Sequence, residues 1–216
     1  MKNNPQYDDK PIHFGYTLGL NYMDFYFGRY YMNNPSVDTL YADIVSPIPG
    51  FQVGMIADFR LGEYFNLRVL PSYNFGQRNL YFFVKKSDNK IITNKFFKIE
   101  SSMIDIPVIL KYKAKRINNY RPYLLIGSSC RYDLAARKKY RLDDEEYILL
   151  KPFDIYTELG FGIDFYLPYF KFSTELKLSI GSFDVLNHKL PEQHPEYVQA
   201  LRKLHSTIVM LSFHFE

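Results

Sequence analysis

The chain has 216 residues, of which 47% are hydrophobic and 18% aromatic, with 20 Tyr, 19 Phe and no Trp. That length suits one domain, and the net charge of +4, from 27 basic and 23 acidic side chains spread along the sequence, is too weak and dispersed for a nucleic-acid footprint. No apolar run approaches the roughly twenty residues of a membrane helix, so a helical membrane protein is excluded. Strand-forming aromatics without long apolar blocks leave two classes, a soluble all-β domain or a transmembrane barrel, which hydropathy alone does not separate. The single Cys130 excludes an intramolecular disulfide and a cysteine-based zinc site. Residues Met1 to Lys10 are polar and lack a basic stretch followed by an apolar one, so the chain reads as having no native signal peptide.

In chain order, Ile12, Phe14, Tyr16, Leu18, Leu20 and Tyr22 alternate with His13, Gly15, Thr17, Gly19 and Asn21, which predicts a strand with one greasy face. A second strand sets Phe51, Val53, Met55, Ala57, Phe59 and Leu61 against Gln52, Gly54, Ile56, Asp58 and Arg60. The Gly62-Glu63-Tyr64 turn joins it to a third, with Phe65, Leu67, Val69, Pro71, Tyr73 and Phe75 opposite Asn66, Arg68, Leu70, Ser72 and Asn74. The fourth runs from Met103 to Tyr112, where Pro107 removes one ladder donor and suggests a bulge. The fifth runs from Tyr123 to Asp133. The sixth and seventh, Asp154 to Phe165 and Phe170 to Gly181, are joined by Leu167-Pro168-Tyr169, and the eighth is His205 to Glu216.

Eight strands is an even number, and long connections near 23–50, 76–101, 134–152 and 182–204 alternate with short ones at 62–64, 113–120 and 167–169. Outer-membrane barrels have this asymmetry, with short periplasmic turns and long extracellular loops. A soluble barrel buries its apolar face, whereas a membrane barrel turns that face to lipid. Here the polar face mixes Gly, Ser, Thr and Asn with charges of both signs: Asp58, Arg60, Arg68, Asp105, Lys111, Arg131, Glu158, Asp164, Glu175 and Lys177. That mixture suits a narrow lumen filled by paired charges with a structural role. Tyr22, Phe25, Tyr64, Phe65, Tyr112, Tyr166, Tyr169 and Phe170 stand at strand ends, where interface girdles belong. The expected fold is therefore all-β, an eight-stranded antiparallel transmembrane barrel over residues 11–216, preceded by a periplasmic segment over 1–10.

These stretches resemble the PorT family of Bacteroidetes outer-membrane proteins. The likeness is carried by Lys10-Pro-Ile-His-Phe-Gly15, Met23-Asp24-Phe25, Asp38-Thr-Leu-Tyr-Ala-Asp43 running into Pro49-Gly-Phe-Gln-Val-Gly54, and Asp58-Phe-Arg-Leu-Gly-Glu-Tyr-Phe-Asn-Leu-Arg68. Phe75-Gly-Gln-Arg78, Ile104-Asp-Ile-Pro107, Arg121-Pro-Tyr123 and Asp154-Ile-Tyr-Thr-Glu-Leu-Gly-Phe-Gly-Ile-Asp164 agree as well. The resemblance implies a component of the type IX secretion system, which exports folded cargo across the outer membrane and serves motility adhesins in gliding species. It further implies, as partners, outer-membrane lipid and other secretion components, among them a large translocon barrel. An eight-stranded lumen is only just filled by side chains, so the expected role is accessory or assembly, without cofactors and without catalysis. The generic reading is a small barrel that binds surfaces or ligands through its loops.

Partner contacts are expected in the first loop, at Phe25, Tyr30, Tyr31, Leu40, Tyr41 and Ile44, which is more apolar than a free loop shows to water. The same loop folding back as a lid fits equally. Phe82 and Phe96 belong to a second candidate surface, a hairpin carrying 81–84 against 91–97 beyond the membrane. Residues 196–204 have the spacing of a short amphipathic helix covering the barrel mouth. His188, His194 and Glu196 match no metal-ligand spacing, and Asp143, Asp144, Glu145 and Glu146 lack the glycine of a calcium loop. Ser212, His214 and Glu216 share one face of the last strand, but alternate residues stand about 7 Å apart, too far for a nucleophile-to-base hydrogen bond without distortion.

Overall fold

The computed structural model describes residues 3–5, 7–29, 39–43, 48–85, 91–136, 149–188 and 201–216. Alternation of apolar and polar side chains gives long antiparallel strands: β1 (Ile12–Arg29), β2 (Thr39–Asp43), β3 (Pro49–Arg60), β4 (Phe65–Val69), β5 (Ser72–Lys85), β6 (Ile91–Lys113), β7 (Tyr120–Asp133), β8 (Phe153–Tyr166), β9 (Lys171–Gly181) and β10 (Leu201–Phe215). A one-turn 3-10 helix, Tyr7–Asp9, precedes them. β1 pairs with β10 on one side and β3 on the other, with Leu18 opposite both Phe213 and Val53, and this closes the sheet into a barrel.

β4 and β5 act as one staircase of the ring. Their register on β3 is continuous, from Ala57 opposite Val69 to Gly54 opposite Ser72, and so is their register on β6, from Val69 opposite Val108 to Ser72 opposite Asp105. Only Leu70 and Pro71 interrupt the ladder, and the Leu70 amide still donates to Pro107 O at 3.2 Å while the Met55 amide donates to Pro71 O at 3.0 Å. The ring therefore has eight members: β1, β3, β4 with β5, β6, β7, β8, β9 and β10. The expected bulge at Pro107 is corrected, since Pro107 pairs with Ser129 in unbroken register between Ile106–Cys130 and Val108–Ser128. Two prolines on adjacent strands, Pro71 and Pro107, remove ladder donors at one level without displacing either chain.

Burial shows which face is inside. Phe14 and Met55 are each 72% exposed, and Ile106, Leu124, Ile126 and Phe161 are exposed with them, while Asp58, Arg68, Asp105 and Lys111 are each 0% exposed. In water this would be an inverted protein; in a bilayer it satisfies every strand, because closure pairs the backbone and the apolar face meets hydrocarbon. The outer end of the lumen turns apolar, where Met23, Met103, Tyr156, Ile208 and Met210 form one buried cluster.

Strands continue into the expected connections 23–50, 76–101 and 182–204, whereas β7 ends at Asp133 and β8 begins at Phe153, the bounds expected for 134–152. β1 runs to Arg29 and β5 with β6 forms the expected hairpin, with Phe83 opposite Thr93 and a register shift between Phe82 and Phe83. The expected helix over 196–204 is corrected: Leu201 to Leu204 belong to β10, where Leu204 faces Phe27, and 196–200 lie outside the described residues. Part of the first loop becomes β2, which pairs with the outer run of β5 from Thr39–Lys85 to Asp43–Tyr81.

Candidate functional site

Inward-facing positions of neighbouring strands build two ion-paired layers in the lumen. In the layer nearer the short turns, the Arg68 guanidinium on β4 reaches Asp58 at 3.0 Å, Glu175 at 3.1 Å and Glu216 at 3.1 Å. Lys171 holds the other Glu216 oxygen at 2.7 Å, and Lys111 holds Asp164 at 2.8 Å. Neutral donors add to the coordination: Ser173 Oγ donates to Asp164 at 2.6 Å, Tyr123 OH to Glu175 at 3.1 Å, and Asn66 to Asp58. Lys111 Nζ also sits 3.7 Å from the centre of the Tyr123 ring.

The second layer lies toward the outer mouth. Arg131 reaches Asp105 at 3.1 Å and Glu158 at 2.6 Å, and Lys177 takes the second Glu158 oxygen at 2.9 Å. Ser129 and Ser179 donate to Glu158 at 3.0 and 3.1 Å. Above it Arg78 pairs with Asp133 at 3.4 Å and lies 4.2 Å from the centre of the Phe25 ring.

Of the ten charges expected in the lumen, Asp58, Arg68, Asp105, Lys111, Arg131, Glu158, Asp164, Glu175 and Lys177 are buried there. Arg60 is the exception. It ends β3 beyond the mouth, partly exposed, and pairs with Asp9 at 3.4 Å. Sequence reasoning passed over Lys171, Glu216, Arg78 and Asp133 as network members, although each continues the inward phase of its strand and was detectable by extending the alternation two or four residues.

Both ends of the lumen are covered. At the short-turn end the segment before β1 lies across the mouth as a cap. Arg116 in the β6–β7 turn binds the carbonyls of Asn3 and Asn4, Arg121 Nη1 lies 3.2 Å from Asp8, and Tyr166 OH donates to Asp8 at 2.8 Å. Tyr7 enters the mouth, stacks on His13 at 4.2 Å and bonds Glu216 at 3.2 Å. Burial pushes the Tyr7 phenol well above its usual value, with Lys171 pulling the other way, so it remains a neutral donor. At the outer end Leu149, Leu150, Val185 and Leu186 are buried over the lumen, and Asp184 accepts from the Leu186 and Leu204 amides at 3.1 and 2.9 Å.

The last strand does not assemble a triad. Ser212 Oγ donates to Gln52 at 3.2 Å, His214 Nε2 lies 3.0 Å from Glu175, and Glu216 is held by Arg68 and Lys171. His188 lies 2.7 Å from Asp184, while His194, Glu196 and the acidic run 143–146 fall outside the described residues. Among the expected partner-binding residues, Phe25 is corrected: it lies in β1, 5% exposed, and faces Arg78 inside the barrel. Leu40 and Tyr41 lie in β2, Phe82 in β5 and Phe96 in β6, whereas Tyr30, Tyr31 and Ile44 are outside the described residues.

A closed antiparallel ring with an apolar exterior and an ion-paired interior defines a multi-pass β-barrel of the bacterial outer membrane. Residues 3–187 match the family model of the outer membrane protein beta-barrel domain, and the chain belongs to that family. No curated protein matches the sequence. Among solved structures it is similar to Neisserial surface protein A, with 10% identity, 95% of this chain and 98% of that chain covered, and a TM-score of 0.45. It is also similar to OprG from Pseudomonas aeruginosa, with 11% identity, coverage of 94% and 92%, and a TM-score of 0.45. Ail of Yersinia pestis, solved with the heparin analogue sucrose octasulfate, has 11% identity, coverage of 94% and 96%, and a TM-score of 0.40.

Proposed function

We propose that this barrel is a non-enzymatic accessory or assembly component of the type IX secretion system, working beside a larger translocon barrel in the export of cargo and of gliding adhesins. The observation that carries the reading is the filled lumen. Arg68 and Arg131 span it with their carboxylates, and the cap and the outer leucines cover its ends. A polypeptide has no path through such an interior, so a role in secretion has to be exercised from the loops, the wall or the periplasmic end. The type IX assignment itself rests on the PorT-like stretches of the sequence.

Deletion of the gene tests it. Cargo trapped in the periplasm and released again on complementation is the expected result, and normal secretion in the deletion strain overturns the reading. Affinity purification from mild-detergent outer membranes is expected to recover secretion components. Ser212→Ala is expected to leave secretion unchanged, because that hydroxyl is engaged by Gln52 rather than by His214.

A second reading, a small barrel that binds a surface or ligand through its outer strands, is favoured by the β2–β5–β6 ribbon. Its pairs from Tyr81–Phe96 to Lys85–Ile91 extend past the last β6–β7 pair, Met103–Asp133. Cargo export unaffected by deletion, together with loss of adhesion, would select it.

A further inference from the structure

The cap and the lipid-facing wall do not meet flush. Between them runs a groove of about 490 Å³, within the range of roughly 300–1,000 Å³ in which small-molecule sites fall. One side is made by Pro5, Tyr7 and Lys10 of the cap, the other by Ile12 and Phe14 at the start of β1 and Tyr169 in the β8–β9 turn. The two sides differ in chemistry. Ile12 and Phe14 begin the outward apolar row of β1, and Tyr169 is 93% exposed at the level where that row ends, the position of interfacial aromatics.

The polar side carries one uncompensated charge. Asp9, next to Lys10, is engaged by Arg60 at 3.4 Å, and both Glu216 side-chain oxygens at the base of the groove are taken by Arg68 and Lys171. Among the described residues no carboxylate or other acceptor pairs with the exposed Lys10 ammonium. The groove thus offers an apolar wall continuous with the bilayer and a single cation at the depth of the headgroups.

We propose that this groove seats one phospholipid of the periplasmic leaflet, with its phosphate against Lys10 Nζ, its glycerol region beside the Tyr169 ring and an acyl chain along Ile12 and Phe14. A free anion would use Lys10 but gain nothing from the apolar wall. A neutral lipid would use the wall but leave Lys10 without its counter-charge. A lipid carrying a phosphate satisfies both sides, and the anionic surface itself adds attraction for the cation.

The test is native mass spectrometry of the whole chain released in mild detergent from nanodiscs of phosphatidylethanolamine and phosphatidylglycerol. The wild-type barrel is expected to retain one phospholipid. Lys10→Glu should lower that occupancy by about fivefold or more, and Tyr169→Ser should lower it as well. Lys115→Glu, which removes an exposed cation of the β6–β7 turn outside the groove, should leave it unchanged. Heat-modified gel mobility of each variant checks folding, which these exposed substitutions are expected to preserve. Absence of retained lipid on the wild type, or equal loss in Lys10→Glu and Lys115→Glu, would overturn the proposal. So would displacement of the bound species by millimolar inorganic phosphate, which would mark an anion site instead.

Discussion

Arg68 concentrates the energetics of the lumen in one side chain, because its guanidinium faces carboxylates from β3, β9 and the end of β10. Removing one member of a buried pair leaves its partners charged and unsolvated, at a cost of about 3–5 kcal/mol. Arg68→Met is therefore expected to lower the denaturant midpoint and the temperature of the gel-mobility shift of the refolded barrel, and unchanged values would remove the network from the account of stability. Glu158→Gln, which takes the paired carboxylate from Lys177 and leaves Arg131 with Asp105 alone, should act in the same direction. Asp184 gives a pH dependence. Burial opposes its ionisation, but the Leu204 amide, His188 and the Leu186 amide outweigh burial and hold the carboxyl below its usual range. A carboxyl lowered on folding stabilises fully above its unfolded value of about 3.9 and loses that contribution as the pH falls through the lower folded value. Proteolysis or amide exchange of the 182–188 segment should therefore rise only in strong acid, and Asp184→Asn should abolish that step.

At the scale of elements, the period-two pattern made the strands legible and also explains where the reading failed. The apolar phase from Ile12 to Tyr22 and the polar phase from Lys171 to Lys177 each lie on the expected face, since a one-residue slip would expose every charge to lipid. Arg60 keeps the phase of β3 but stands past the mouth, and phase carries no information about depth. With polar Asp24 in the outward row the alternation stops marking a strand at Phe25, yet the inward row simply turns apolar above Asn21, at Met23 and Phe25. The cap was invisible because many of its anchoring contacts join residues more than a hundred positions apart, as from Asn3 to Asn119 and from Tyr7 to Glu216. Packing between strands follows the same logic of small beside large. A Cβ at Gly162 would lie 2.5 Å from Tyr123 and 2.6 Å from the Thr174 carbonyl, so Gly162→Ala must displace the tyrosine that donates to Glu175. Such overpacking costs about 1–3 kcal/mol, and equilibrium unfolding in detergent or lipid should register it.

The whole molecule makes one prediction that separates a membrane barrel from a soluble one. Cys130 points outward in mid-strand, opposite Ile106 and Ile155. In the native membrane it should resist a charged, impermeant maleimide, because the thiolate that adds to the reagent does not form in hydrocarbon, and should label once the barrel is unfolded in denaturant; rapid labelling of the native barrel would contradict the orientation of the wall. The class of fold was readable because a bilayer imposes a simple rule on every strand. The biological role was not, because the connections, where surface loops commonly carry function, obey no such period.

The cap also carries information about order in time. Its anchors lie in the β6–β7 turn at Arg116, on β7 at Arg121, at the end of β8 at Tyr166 and beyond β10 at Glu216. These groups come together only once β1 has met β10 and the ring is shut. The segment that precedes the first strand is thus the last to find its place, and a docked Tyr7 reports that insertion has run to completion. Any factor that recognises the docked segment would thereby distinguish finished barrels from open sheets without needing to inspect the rest of the chain.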